Sequence, residues 1–213
     1  MPLPMVHLLV AENLKNENVD KTAEYYLGAI SPDAVHMRED YKREHKTASH
    51  FAIKNVGTAE KLAEFLEILN GTQEKDRKDF LKGYLVHILT DKLWLDTLYK
   101  DIYLKNYKLD KAPLQDERMA YYNDTDQIDY MLYEKMPFRR EIFTKLENAK
   151  IFGIEGIVRA ENVYLWRKRN LTWFNKECDH KNPVKYIKYG EVLSFASFAA
   201  AEIDKVIPKM LTE

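Results

Sequence analysis

A histidine and an aspartate four residues apart on one helix can offer a nitrogen and an oxygen to the same ion. The segment Phe80-Leu81-Lys82-Gly83-Tyr84-Leu85-Val86-His87-Ile88-Leu89-Thr90-Asp91-Lys92-Leu93-Trp94 contains such a pair, His87 and Asp91. That spacing places both side chains on one side of an α-helix. The same side carries Phe80, Tyr84 and Trp94, so it is the face expected to turn inward. A buried aspartate is costly unless a cation, a metal or several donors meet it. Gly83 sits one turn before His87, where a glycine costs helix stability by about 1 kcal/mol but lets another helix approach. The plainer alternative is that His87 and Asp91 bond to one another, or to neighbours, inside the core.

Other residues could join them. His7 lies on the apolar face of the first helix, where a single histidine is more often a satisfied core residue than a ligand. Asp33 follows Ser31-Pro32 at a helix start, and an acid there is also favoured by exposed N–H groups and the helix dipole. His36 stands three residues on, on roughly the same side. His45 and His50 fall in a polar stretch, and His180 falls in a charged one beside Cys178, where exposure is the default. Taken together, imidazoles and carboxylates suit zinc and other divalent first-row metals. Ligands from a long helix, a helix start, a loop and the N-terminal helix could converge inside a bundle.

The order His7, then Gly28-Ala29-Ile30-Ser31-Pro32-Asp33, then His50, then Gly83-Tyr84-Leu85-Val86-His87-Ile88-Leu89-Thr90-Asp91 resembles the zinc-dependent phospholipase C family. That superfamily includes single-strand nucleases, and the likeness is to its small, uncharacterised bacterial members. It covers roughly the first hundred residues. The resemblance implies an all-helical fold and a zinc cluster that hydrolyses phosphoesters. It further implies that Asp33, His50, His87 and Asp91 hold one metal, and that Asp91 bridges to a second bound by His7. His36 is a substitute ligand. Secreted members also use a processed N-terminal tryptophan, where this chain begins Met1-Pro2. They have a histidine six residues past the bridging aspartate, where this chain has Thr97, and a later H-x-x-x-E pair, where it has His180 and Val184. The expectation is therefore one or two divalent ions, zinc or a similar metal, without phospholipid as the substrate.

Two such metals would acidify a bridging water and neutralise charge on a phosphoryl group. Asp33 and Asp91 are the expected catalytic carboxylates, with Asp33 orienting or deprotonating the water. Arg38, Arg43 and Arg118 are candidate phosphate partners, because a guanidinium fork matches phosphate, although each is also an ordinary solvated charge. The expected substrate is a small phosphorylated molecule. An HD-type phosphohydrolase needs an adjacent His-Asp pair, and Asp179-His180 has the reverse order. The alternative from another class is a non-catalytic helical binding or scaffolding module with a degenerate metal site.

These residues need helices to carry them. Apolar spacing predicts helices at about residues 5–14, 22–30, 57–69, 73–107, 115–135, 137–148, 161–169 and 184 or 186–211, with a further helix start at Ser31. Asn70-Gly71 ends the third segment, and Pro208 lies near the end of the last. Residues 38–54 are polar without a period and read as a loop, as do residues 175–183. The expected architecture is an all-α, irregular bundle of about seven helices in one domain spanning residues 1–213.

Composition agrees. The 213 residues are 46% hydrophobic and 31% charged, enough to bury a core. Seven glycines and seven prolines are few breakers, which favours helices. Thirty-three basic against 34 acidic residues leave a formal charge of −1, so no strong field draws nucleic acid. Cys178 is the only cysteine, which fits a reducing compartment. No signal-peptide pattern stands at the N-terminus and no apolar run reaches the about 20 residues a bilayer needs, so the expected location is the cytoplasm.

Overall fold

The computed structural model describes residues 3–52, 58–176 and 183–211. Ten α-helical stretches are present: α1 (Pro4–Asn13), α2 (Ala23–Ile30), α3 (Arg43–Ser49), α4 (Thr58–Gly71), α5 (Lys75–Trp94), α6 (Leu104–Leu109), α7 (Glu117–Lys135), α8 (Arg139–Asn148), α9 (Ala160–Trp173) and α10 (Tyr189–Met210). A 3-10 helix, Ser31–Met37, continues from α2. A π-helical stretch, Leu95–Tyr103, joins α5 to α6, so residues 75–109 form one rod. Counted in that way the described residues hold nine helices rather than about seven. The all-α expectation holds; the sole β feature among them is an isolated bridge between Ile154 and Val158. No helix among the described residues is long and apolar enough to cross a membrane.

The centre of the bundle is α1. Met5 to Ala11 are all buried, so this helix is enclosed on every side rather than presenting one apolar face. It packs against α2, α5, α7 and α10. Beside it α2 lies along α5, and there the sequence leaves room. A Cβ at Gly28 would stand 2.0 Å from the Phe80 carbonyl oxygen, and one at Gly83 would stand 1.9 Å from that of Tyr25. Thr22 starts α2 by accepting from the Tyr25 amide.

The segment at 38–54 is a correction to the sequence reading. It carries α3, whose residues Arg-Glu-His-Lys-Thr-Ala-Ser have no apolar period because only Ser49 among them is buried. Tertiary contacts hold it instead. Beyond its end Phe51 takes a positive φ of 59° and is 1% exposed, its ring packed on Phe65 and Tyr84. A non-glycine residue held there needs its surroundings to fix it. Residues 53 and 54 lie outside the described residues, as do Cys178 and His180.

The last helix starts later than its pattern suggests, and Asp124 of α7 gives the reason. Its buried carboxylate accepts hydrogen bonds from the Lys185, Tyr186 and Ile187 amides at 3.1, 2.6 and 3.0 Å. Those amides are spent on Asp124, so the helix begins at Tyr189, with Glu191 accepting from the Lys188 amide.

Candidate metal centre

Five side chains from four elements meet beside the α2–α5 crossing. α1 supplies His7, the 3-10 helix supplies Asp33, and the end of α3 supplies His50. His87 and Asp91 come from α5. Ligand atoms of His7, Asp33 and His87 lie within 4.8 Å of one another, as do those of His50, His87 and Asp91. His7 Nε2 is 3.5 Å from Asp91 Oδ1, and His50 Nε2 is 3.3 Å from Asp91 Oδ2. His87 Nε2 is 3.8 Å from Asp91 Oδ2, and His50 Nε2 is 3.6 Å from Asp33 Oδ1. The His7 and His87 rings stack with centroids 3.6 Å apart and planes 6° from parallel.

Backbone contacts aim two of the three imidazoles. His87 Nδ1 lies 2.8 Å from the Ala29 carbonyl oxygen. A carbonyl can only accept, so Nδ1 carries the proton and Nε2 presents its lone pair to the cluster. The close approach of α2 brings Ala29 within that reach. His50 Nδ1 is held in the same way by the Lys46 carbonyl at 3.0 Å.

The inward atoms have no such partners. Among the described residues, both nitrogens of His7, Nε2 of His50 and His87, and Oδ1 of Asp91 are buried without a hydrogen bond. Burying unpaired polar atoms costs on the order of 1–3 kcal/mol each. Their mutual spacings are too long for hydrogen bonds. They approach the roughly 3.4 Å between ligand atoms around a zinc ion with bonds of about 2.0–2.1 Å. Donor types, orphaned atoms and spacing all fit a divalent metal.

Electrostatics point the same way. Burial pushes His87 down to about 3 and His50 down to about 4. It also holds His7 well below the usual range, with the neighbouring His87 adding to the effect. All three are therefore neutral near pH 7, the form that binds metal. Burial, reinforced by the charge of Asp33, pushes Asp91 well above the carboxylate range. Burial also acts to raise Asp33, but His50, His87, Lys46 and His7 outweigh it and hold Asp33 low. Two nearby carboxylates are thus driven apart, one ionised and one reluctant to ionise.

Asp33 joins the cluster to a cavity of about 850 Å³ that it also lines. His36 stands on this cavity, outside the five. Its Nε2 is 3.7 Å from Asp33 Oδ1 and 3.2 Å from Lys46 Nζ, and its side chain is 33% exposed. Arg43 and Arg118 line the cavity as well. Arg38 does not; it is paired with Asp40 and lines a separate surface hollow. His45 takes no part in the cluster; its Nδ1 accepts from the Lys42 amide. Thr97 lines a groove with Phe195 and Phe198. Lys46, Asp129, Trp166, Arg169 and Trp173 were not anticipated. Their spacing resembles that of any helix face, and no sequence signal distinguishes them.

No family model, curated protein or solved structure matches this chain.

Proposed function

We propose that this chain is a metal-dependent hydrolase of small phosphoesters, using one or two zinc or similar divalent ions. The observation that carries the reading is the convergence of buried, unpartnered His7, His50, His87 and Asp91 atoms beside a cavity reached through Asp33. The motif order that resembles zinc-dependent phospholipase C supports it and suggests a phosphoester substrate.

His7, Asp33, His50, His87 and Asp91 would hold the ions, with His36 as an outer substitute. A divalent ion bound there would acidify a water near neutral pH and neutralise charge on a phosphoryl group. Asp33 lines the cavity, is held ionised and could accept a hydrogen from the attacking water, fixing its direction. Ala29 and Lys46, through their carbonyls, keep His87 and His50 from rotating out of place. The packed α1, α2 and α5 interior keeps bulk water from the far side of the cluster.

Elemental analysis of untagged protein, beside Asp91→Asn and His87→Gln, is the first experiment. One or two divalent ions in the wild type, lost in both folded variants, with metal-dependent release of 4-nitrophenol from its phosphate esters, is the expected result. A wild type that is isolated without metal and takes up no zinc, manganese or nickel would overturn the reading. It would leave a helical binding module.

A further inference from the structure

The cavity wall facing solvent bears an arginine with nothing to hold. Arg169 of α9 lies with its guanidinium carbon 4.1 Å from the Trp173 ring centroid and 4.9 Å from that of Trp166. Two indoles thus fix its plane. Among the described residues, none of its N–H donors reaches a hydrogen-bond acceptor or an ion pair. Several other arginines are spent, although Arg43 and Arg118 on the same cavity are not. Arg38 grips Asp40, Arg139 donates to the Tyr133 carbonyl, and Arg167 donates to three carbonyls at the end of α8 and just beyond it. A half-buried guanidinium oriented by stacking and left without an acceptor is a fork awaiting an anion.

Its surroundings favour that anion. Lys46 lines the same cavity, its Nζ 3.2 Å from Asp33 Oδ1 and 3.2 Å from His36 Nε2. Two acids stand on the α7 side of the wall, and Asp126 is the nearer charge to Arg169 in effect. Burial raises both Asp126 and Asp129, and Asp129 Oδ1 is committed to the Met5 amide. After Asp126, the charge of Asp33 also acts on Arg169. The positive wall therefore faces the metal-ligating carboxylate, with a volume suited to a small molecule between.

We infer that Arg169 and Lys46 clamp the terminal oxygens of a phosphate, and that the site selects dianionic phosphate monoesters over monoanionic diesters. The ligand class rests on the phosphoester reading above. The clamp itself consists of side chains that need no ion to be in place. A monoester offers three terminal oxygens and two charges, enough to engage the fork, the ammonium and the cluster together. A diester has only two free oxygens and one charge.

The test is titration of tryptophan fluorescence with methyl phosphate and with dimethyl phosphate, in chelator and again with zinc. Trp166 and Trp173 report directly on Arg169. Methyl phosphate should bind at least tenfold more tightly in both conditions. Arg169→Met, which keeps the stem between the indoles, and Lys46→Met should each weaken it by about tenfold or more, as for a lost hydrogen bond to a charged group. Arg169→Lys should fall between, and metal content should not change in either Arg169 variant. Equal binding of the two esters would overturn the inference, as would unchanged affinity in a folded Arg169→Met protein. A chain that takes up no metal but still prefers methyl phosphate through Arg169 would sink the hydrolase reading alone and uphold the clamp.

Discussion

Gly28 and Gly83 form a reciprocal contact: each lies against the backbone of the other's helix, near Phe80 and Tyr25 respectively. The clearance is under van der Waals contact for any Cβ, and the obstructing atoms are main-chain carbonyls that cannot rotate aside. The contact has a functional consequence. It brings α2 close enough for the Ala29 carbonyl to hold His87 at 2.8 Å and sets Asp33, just past α2, near the α5 ligands.

Replacing Gly83 with alanine should therefore do more harm than helix propensity would do good. Alanine gains about 1 kcal/mol in a helix interior, while overpacking against backbone typically costs about 1–3 kcal/mol and more where nothing can yield. Urea denaturation should show net destabilisation for Gly83→Ala and Gly28→Ala. Gly71→Ala, with open space around its Cβ position, serves as the control. Zinc uptake should weaken in the first two. A Gly83→Ala protein as stable as wild type would contradict the packing described.

The metal-free protein should lose stability as pH falls from about 6.5, the unperturbed histidine value. His87, His50 and His7 titrate lower in the folded chain, His50 at about 4 and His87 at about 3. Between those values and 6.5 the unfolded chain binds more protons, which favours unfolding on acidification. Asp91 works the other way, because its raised folded pKa makes the native state the better proton binder above the usual carboxylate range. His36 is also lowered and Asp129 and Asp126 are also raised, so four imidazoles stand against three carboxyls and the net excess is small but on the histidine side. The slope should approach about 1.4 kcal/mol per pH unit for each excess proton. Thermal melts in chelator from pH 7 to 4.5 measure it, and a flat profile would contradict burial of neutral histidines.

Asp91→Asn should separate stability from function. The carboxyl is buried, its Oδ1 has no hydrogen-bond partner among the described residues, and its ionisation is disfavoured. Its folded pKa is raised, so the group destabilises the chain increasingly as pH rises through that value. An amide has no such charge. In chelator at pH 8 the variant should melt at or above the wild-type temperature. Its acid-side slope should also be steeper, because one opposing carboxyl is gone. Zinc should raise the wild-type melting temperature and leave that of the variant unmoved.

The legible part of this site was the part carried by local spacing. His87 and Asp91 on one face of a long helix, with Gly83 beneath, could be found from the pattern of α5. His7 was visible only as a polar residue in an apolar helix. α1 is buried all round, so its pattern could not say which side His7 faced. Asp33 and His50 lie outside any amphipathic period and entered through motif order. α3 was not recognisable as a helix, because it buries little and is pinned by Phe51 beyond its end. The Arg169 wall was hidden for a different reason. Trp166, Arg169 and Trp173 read as an ordinary helix surface until α9 is set against the 3-10 helix that holds Asp33.

Asp124 shows how one buried carboxylate can set a helix boundary far away in sequence. It receives three consecutive amides before α10, and a fourth bond comes from Asn123 Nδ2 at 3.2 Å. Asp124→Ala would strand those donors in a buried site, at about 1–3 kcal/mol for each one left unsatisfied. Asp124→Asn keeps one acceptor oxygen and should cost less. The expected outcome is a loss of about 3 kcal/mol or more in urea denaturation for the alanine variant. Hydrogen exchange should quicken at residues 185–187 before it does so in α5. Because α10 packs on α1, which carries His7, the alanine variant should also bind zinc more weakly. If exchange at 185–187 were unchanged in Asp124→Ala, the carboxylate would not be what ends the loop and starts the helix.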